Sequence, residues 1–415
     1  MKTTLCYIEK DGKYLMLHRV KKKKDINAEK WIGVGGKFEA GEGAEECLLR
    51  EVWEETGLTL TKYEEVGLVK FISDIYEDED MYLFKGLEFT GELREDCPEG
   101  ELLFVDKEKV LSLPTWEGDR YFLEALMQGR KNILMTVRYE KDRLAEFRDD
   151  TKEVEILTSG KLTSKHGFST RIGGVSEGIF YGLNLGFNRG DEEERVAENW
   201  RRFFQACGIR EQRVVCGRQV HGNRVSVVGR KDAQPFWGRQ ELMEADGFVT
   251  GKKGVALAVF TADCVPVLLE DAKNAVIGAV HCGWRSTVAD IEKEVIEKMV
   301  DLGAGVESIS LAIGPSIGAC HFEVGREVIE AAENLLHENI ERFYKCTGEK
   351  YLLDLRGIVR ERFLQLGILP DHIETKTECT MCEETRFWSH RATQGERGSM
   401  ASVICMQDEE DSIIM

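Results

Sequence analysis

Residues 36–58 read GKFEAGEGAEECLLREVWEETGL and set Gly36, Glu42, Arg50, Glu51, Glu54, Glu55 and Gly57 at the spacing G-x5-E-x7-R-E-U-x-E-E-x-G-U, with Val52 and Leu58 in the bulky apolar places. On a helix, Glu51, Glu54 and Glu55 stand at i, i+3 and i+4, so three carboxylates project from one face. Such a face repels itself unless a cation sits on it. Hard oxygen ligands at this density suit Mg2+ or Mn2+, ions that bridge phosphates and activate water. The Gly35-Gly36 pair lets the backbone approach closely enough for a carbonyl to join them. Arg50 and Glu42 brace the loop and helix. An exposed Glu-rich helix paired with Arg50 would share the composition, but would have no reason to satisfy every position together.

This spacing resembles the metal-binding box of the Nudix pyrophosphohydrolases. The resemblance implies an N-terminal α/β/α sandwich, with the Gly35 carbonyl, Glu51, Glu54 and Glu55 on the magnesium and Glu54 and Glu55 as the catalytic carboxylates. Within that family, WIGVGGKFEAGE (31–42) and LPTWEGDRYF (113–122) are similar to the MutT-like group, which hydrolyses oxidised purine nucleoside triphosphates such as 8-oxo-dGTP. By position in that group, Glu99 is a further metal ligand or base, and Trp116 and Asp119 fall where the base is stacked and hydrogen-bonded. For Trp116, core packing is an equal reading. Where mammalian members carry Asn this chain has Ile32, so one purine-reading amide is missing.

Outward from the box, apolar runs between Thr3 and Arg19 flank Asp11-Gly12, the signature of a hairpin. Strand-like runs follow over Glu65–Ile75 and Met81–Phe89, and a helix over Leu113–Met127 behind Pro114. Lys21 to Lys24 reads as a solvated loop. From Tyr139 to Val154 the chain turns highly charged (YEKDRLAEFRDDTKEV), the composition of a domain edge or linker. The boundary is set near Asp150, giving domains 1–150 and 151–415. A chain of 415 residues that is 42% apolar supports two cores. The second domain alternates Val/Ile-rich runs with Gly-rich turns, with helical patterns over Asp191–Cys207, Val288–Leu302, Val324–Glu341 and Leu355–Leu366. It reads as a larger mixed α+β domain.

Four phrases stand out there: HGFSTRIGGVSEGIFYGLNLG from His166, RQVHGNRV from Arg218, TADCVPVLL from Thr261 and HCGWRS from His281. With GPSIGACHFEV from Gly314 and CTMCEETRFWSHR from Cys379, they are similar to the YfiH family, long labelled multicopper polyphenol oxidase or laccase domains. The resemblance puts a zinc ion on His221, Cys264 and His281. Two imidazoles and a thiolate are a borderline-soft set that Zn2+ accepts with one position left open. Singly, a His in a Gly-rich turn or a Cys between small apolar residues is usually structural. Asp263 is the candidate proton carrier or supporting group. Arg171, as part of the catalytic site, and Arg285, in substrate binding, are candidates to hold phosphate by charge-assisted forks, although surface pairing serves Arg285 equally well. Cys282 and Ser286 replace the Ala and Gly usual in the family's H-A-G-W-R-G phrase. Cys379-x2-Cys382 has zinc-ribbon spacing but no second Cys pair nearby, so a separate structural zinc is not expected.

The family is associated with phosphorolysis of purine nucleosides (adenosine, inosine, S-methyl-5'-thioadenosine), with adenosine deamination and, in bacteria, with correction of peptidoglycan precursors. The older association is copper-dependent phenol oxidation. A multicopper centre needs many paired H-x-H histidines, whereas this chain has eight His and no H-x-H, which disfavours copper. Activated water attacking purine C6 fits deamination, and phosphorolysis needs phosphate on the ribose C1' face, for which the chain offers arginines. The non-enzymatic alternative is a nucleotide-sensing binding module. Small nucleotides, nucleosides and phosphate are the expected partners, because a net charge of -19 argues against nucleic acid or a membrane surface. Oligomeric state stays open. Twelve cysteines without a secretory leader, and no long apolar span, point to reduced thiols in a cytoplasm.

Overall fold

The computed structural model describes residues 1–21, 26–94, 96–151, 153–211, 213–236, 242–337 and 340–407. Most of the cationic run, Lys22–Lys24, lies outside the described residues, and Lys21 pairs with Asp96 at 2.6 Å. The chain divides into two compact units, Met1–Glu153 and Val154–Met415.

In the first unit β1 (Lys2–Lys10) and β2 (Lys13–His18) form the hairpin, with Asp11 in the left-handed region at φ 48°. There follow β3 (Trp31–Ile32), α1 (Ala44–Thr56), β4 (Thr59–Ser73), β5 (Glu79–Thr90), β6 (Glu101–Asp106), α2 (Lys107–Val110), α3 (Asp119–Met127), β7 (Ile133–Glu140) and β8 (Arg143–Asp149). The strand order is β3-β2-β1-β5-β4-β7-β8, with β6 paired to β2. Alternation along β1 decides what each face meets. Cys6 and Ile8 pack with Leu48 and Val52 of α1, whereas Tyr7 packs with Phe122, Leu123 and Leu126 of α3. Each fully buried Leu or Phe contributes about 1.5–3 kcal/mol to that sandwich.

Two expectations are corrected here. Helix α3 starts at Asp119 rather than Leu113, because the chain turns before it and the Gly118 N–H donates to the Tyr139 hydroxyl at 2.6 Å. The charged stretch after Tyr139 is strand, not linker: β8 pairs antiparallel with β7 from Met135↔Asp149 to Glu140↔Arg143. It lies at the sheet edge, where one side is wet. Arg138 and Glu146 bond across it at 3.0 Å while Phe147 stacks on Tyr121 at 3.9 Å between ring centroids.

The second unit stacks a four-stranded sheet on a six-stranded one. The first has the order Ala256–Thr261, Met400–Cys405, Lys165–Ser169, Ile156–Leu157; the second runs Val225–Val227, Gly247–Thr250, Val276–Cys282, Val265–Asp271, Ser310–Ile313, Ile373–Thr375. Leu257, Val259 and Ile404 meet Phe248, Leu268 and Ala279 between the sheets. On the outer faces, Ala258 and Val403 receive Trp200 and Phe203 of the helix Glu193–Ala206, and Val267 and Val280 receive Val295 and Met299 of the helix Ile291–Asp301. The remaining helical patterns correspond to Arg326–Leu336 and Leu355–Gln365. This is a mixed α/β architecture of sheets covered by helices. No helix among the described residues is long and apolar enough to cross a membrane.

Candidate functional site

In the first unit the box residues occupy the loop before α1, the helix itself, and Gly57 and Leu58 just after it, with Gly57 capping the helix at φ 74°. A Cβ on Gly36 would come within 2.5 Å of the Glu51 carboxylate, so only glycine lets that acid lie against the backbone. The Gly35 N–H donates to Glu55 Oε2 at 3.0 Å, tying the loop to the buried end of the helix. Arg50 grips Glu42 through two 2.9 Å bonds and reaches Glu51 at 2.8 Å and Glu54 at 3.3 Å. That guanidinium holds the Glu42 carboxyl down at about 2. Glu99 pairs with Arg19, which also approaches Glu55 to 4.0 Å, so the fold brings Glu99 to the box. Glu51, Glu54 and Glu55 thus lie along α1 with Glu99 close to Glu55 across Arg19, and carboxylate oxygens are the ligand type that Mg2+ or Mn2+ would take.

Trp116 is 7% exposed and packs edge-on against Phe71, Tyr76 and Tyr139, while its Nε1 donates to Asn27 at 2.8 Å and Lys30 lies 4.4 Å over its ring. Asp119 sits beside it at the start of α3. Burial pushes the Asp119 carboxyl up to about 7, partly opposed by the Trp116 backbone and the Lys30 ammonium. An acid whose folded pKa is raised favours folding while protonated, and that contribution fades as pH climbs from about 4 towards 7. Asp119→Asn, which stays neutral, is therefore expected to raise the first unit's melting temperature at pH 8 by at least about 2 °C and to leave it unchanged near pH 4. Calorimetry at the two pH values checks this; an equal shift at both would remove the carboxyl's charge as the cause.

In the second unit three ligand-type side chains converge. The thiol of Cys264 and the imidazoles of His221 and His281 place their donor atoms within 4.8 Å of one another. Cys264 Sγ lies 3.8 Å from His221 Nε2, and the two rings meet edge to face at 4.9 Å. His281 comes from the strand Val276–Cys282, and Cys264 from the tight link between Ala256–Thr261 and Val265–Asp271. His221 and Asp263 hold φ of 60° and 89°, conformations a non-glycine residue keeps only when its surroundings enforce them. A Cβ on Gly283 would stand 2.8 Å from the His221 ring and 3.4 Å from Cys264 Sγ, filling the space between them.

The organiser of this centre is a residue that sequence reasoning missed. Asp246 is fully buried; Oδ1 accepts the His221 N–H at 3.0 Å and faces His281 Nδ1 at 2.9 Å, while Oδ2 accepts the Val220 and Gly222 N–H groups at 3.0 Å. One carboxylate thus fixes the His221 loop and turns the other nitrogen of His281 towards Cys264. Its only local signal is an Asp-Gly step before a strand. Burial works against charge here, yet the paired imidazoles bring Cys264 down to about 6, and the thiolate with Asp246 lifts His281 to about 9. Asp246→Asn leaves an amide facing N–H donors, so the affinity of this candidate centre for a metal ion is expected to fall roughly 10–100-fold, read by chelator competition. Unchanged affinity would deny Asp246 that role.

His221, Cys264 and His281 line a cleft of about 1060 Å³ that also includes Arg189, Asp263, His390, Arg391 and Arg397. The Asp263 carboxylate accepts from the Thr380 hydroxyl and the Arg391 N–H, each at 2.7 Å. Arg397 has a buried Nε with no hydrogen-bond partner among the described residues, and burial together with Arg189 lowers its pKa to about 10.

Residues 165–407 match the model of the multi-copper polyphenol oxidoreductase laccase family, and residues 2–126 match that of the NUDIX domain. The chain belongs to the multi-copper polyphenol oxidoreductase laccase family. Its first unit is a NUDIX domain, and both units are of enzyme families. A purine nucleoside phosphorylase of Deinococcus radiodurans is 38% identical over 61% of this chain and 94% of its own length. An adenosine deaminase, RL5, of an unknown prokaryotic organism is 35% identical over 58% and 93%. The crystal structure of YlmD from Geobacillus stearothermophilus superposes with a TM-score of 0.57 at 30% identity, covering 60% of this chain and 94% of that one.

Within this laccase-family unit neither arginine expected to bind phosphate lines the cleft. Arg171 donates to the Glu384 and Tyr181 carbonyls and stacks 3.8 Å over Trp388, which makes it a clamp between loops. Arg285 lies over its neighbour Trp284 at 4.3 Å. Among the described residues, the arginines that the fold does bring to the cleft are Arg189, Arg218, Arg391 and Arg397, of which Arg218 pairs with Glu244.

Proposed function

We propose that the protein is a bifunctional purine-metabolising enzyme. Its NUDIX unit hydrolyses a nucleoside triphosphate to monophosphate and pyrophosphate with Mg2+ or Mn2+, with oxidised purines such as 8-oxo-dGTP as candidate substrates. Its laccase-family unit carries out zinc-dependent phosphorolysis or deamination of purine nucleosides such as adenosine, inosine and S-methyl-5'-thioadenosine. The observation that carries the second half is the buried Asp246, which aims two imidazoles at one thiol on the wall of a cleft rich in arginine. A zinc ion on His221, Cys264 and His281 would supply Lewis-acid polarisation at its open position. Asp263, held by Thr380 and Arg391, orients its carboxylate beside Cys264, and Arg397 with Arg189 and Arg391 offers the cationic wall a phosphate needs. Near neutral pH Asp119 in the NUDIX unit can either donate to or accept from a purine edge.

Two imidazoles and one thiolate are also the donor set of electron-transfer copper sites, which a weak axial ligand such as Met completes. Among the described residues lining this cleft there is no methionine, and the side-chain amide of Gln219, the other residue type that fills that role, is bonded to the Phe260 N–H and carbonyl at 2.6 and 2.7 Å. The reading is tested on one purified preparation with oxidised and ordinary nucleoside triphosphates, then with adenosine, inosine and S-methyl-5'-thioadenosine, each with and without phosphate, alongside metal analysis. Free base released only with phosphate identifies phosphorolysis, and ammonia without phosphate identifies deamination. Stoichiometric copper with rapid phenol oxidation and untouched nucleosides would overturn it.

A further inference from the structure

A second cluster of soft ligands stands apart from the three residues of the first centre. Cys320 and His321 lie in the turn between the strand Ser310–Ile313 and the helix Arg326–Leu336, while Cys379 and Cys382 lie in the turn after the strand Ile373–Thr375. Sequence reading found no partner for the Cys-x2-Cys pair. The fold supplies one by pairing Ser316 with Cys379 as an isolated bridge, reinforced by the Thr380 N–H donating to the Ser316 carbonyl at 3.1 Å.

The three sulfurs and His321 Nδ1 all lie within 4.8 Å of one another. Cys320 Sγ stands 3.5 Å from both Cys379 Sγ and Cys382 Sγ, and His321 Nδ1 stands 3.2, 3.8 and 3.4 Å from the sulfurs of Cys320, Cys379 and Cys382. A tetrahedral zinc with Zn–S of about 2.3 Å and Zn–N of about 2.0–2.1 Å has edges of about 3.8 Å between sulfurs and about 3.5 Å between nitrogen and sulfur. The observed edges scatter around those lengths. A disulfide would join only two of the three sulfurs, at about 2.05 Å, and leave the third with the imidazole. The Gly318 N–H donates to Cys379 Sγ at 3.2 Å, a contact that favours sulfur as thiolate. Arg391 reaches the carbonyls of His321 and Glu323 at 3.5 and 3.2 Å and sets a cation behind the turn.

We propose that Cys320, His321, Cys379 and Cys382 bind a structural zinc ion in a Cys3His centre separate from that of His221, Cys264 and His281. The centre staples the 318–322 turn to the 379–382 turn. Asp263 is held from both sides of this staple: Thr380, within the Cys-x2-Cys, donates to its carboxylate at 2.7 Å, and the N–H of Ile317, the residue just before the first turn, donates to its carbonyl at 2.9 Å. The staple therefore supports the left-handed conformation of Asp263, φ 89°, next to Cys264.

The test is zinc content per chain of the full-length protein, purified under reducing conditions and passed briefly through EDTA to strip carboxylate-bound cations. Wild type is expected to hold two zinc ions, Cys264→Ala one, Cys382→Ser one, and the double variant none. Cys382→Ser is also expected to melt several degrees lower. Cys264→Ala with no zinc, or Cys382→Ser with the wild-type content, would overturn the proposal. If Cys264→Ala keeps wild-type content while Cys382→Ser loses one ion, the catalytic-centre reading fails and this one stands. Should Cys382→Ser not fold, cobalt substitution of Cys264→Ala decides: strong sulfur-to-cobalt charge transfer with tetrahedral bands supports the centre, and a spectrum without them overturns it.

Discussion

Cys264→Ala is expected to bring nucleoside turnover down to background and to empty the His221–Cys264–His281 centre of metal, while the NUDIX unit's hydrolysis of nucleoside triphosphate stays at the wild-type rate. The loss should exceed the roughly 10–100-fold that removal of a supporting partner costs a metal site, because the thiolate is itself one of three proposed ligands. It is also the one anionic ligand of the set, and burial would push it towards the neutral thiol were the two imidazoles not there to bring it down to about 6. The independence of the other activity follows from composition: the proposed magnesium ligands belong to Met1–Glu153 and the thiolate to Val154–Met415. Parallel assays of base or ammonia release and of pyrophosphate release, with zinc measured on the same samples, check the prediction. Retention of nucleoside turnover would remove Cys264 from the chemistry, and a parallel loss of pyrophosphate release would mean that the units do not act separately.

The double substitution Glu54→Gln, Glu55→Gln is expected to cut pyrophosphate release by on the order of 10³-fold, since each Gln keeps the shape of the helix face but removes a charge that would hold the cation against the phosphates. Melting temperature should change little. Glu54 is half-exposed with one long contact to Arg50, and at Glu55 a Gln carbonyl can still accept the Gly35 N–H. Arg19 keeps its pairing with Glu99 in either case. Titration with Mg2+ separates the causes: a weaker apparent metal affinity marks lost ligands, whereas an unchanged metal dependence with wild-type rate would move the site elsewhere.

The contrast between the two candidate metal sites explains how much is legible in the sequence. Glu51, Glu54 and Glu55 share one helix turn, so their spacing in the chain is their spacing in space and helix geometry alone puts them on one face. His221, Cys264 and His281 are drawn from three separate segments, and local pattern says nothing of their meeting. Resemblance to a family brought them together, and phrases such as HCGWRS carried it. The same route also pointed to Arg171 and Arg285, which sit in matching phrases, yet in the fold they bond loop carbonyls and lie over Trp284, away from the lining of the cleft. Trp116 is a further case: an aromatic at the right position packs into the core, its ring shared with Phe71, Tyr76 and Tyr139.

By itself the sequence determined what local geometry governs: the carboxylate face of α1, the hairpin at Asp11-Gly12, the long helices of the second unit and the presence of two families in one chain. Tertiary structure alone decided which distant groups come within reach of one another. It set Asp246 under both histidines, brought Glu99 to the box, lined the cleft with Arg189, Arg391 and Arg397, and turned the charged stretch after Tyr139 into an edge strand. It also joined Cys320 to Cys379, 59 residues away, through sheet register and a single bridge at Ser316. The physical reason is common to all of these. A side chain's chemistry depends on what is within a few ångströms of it, and only for neighbours along a helix or across a tight turn does chain separation fix that distance.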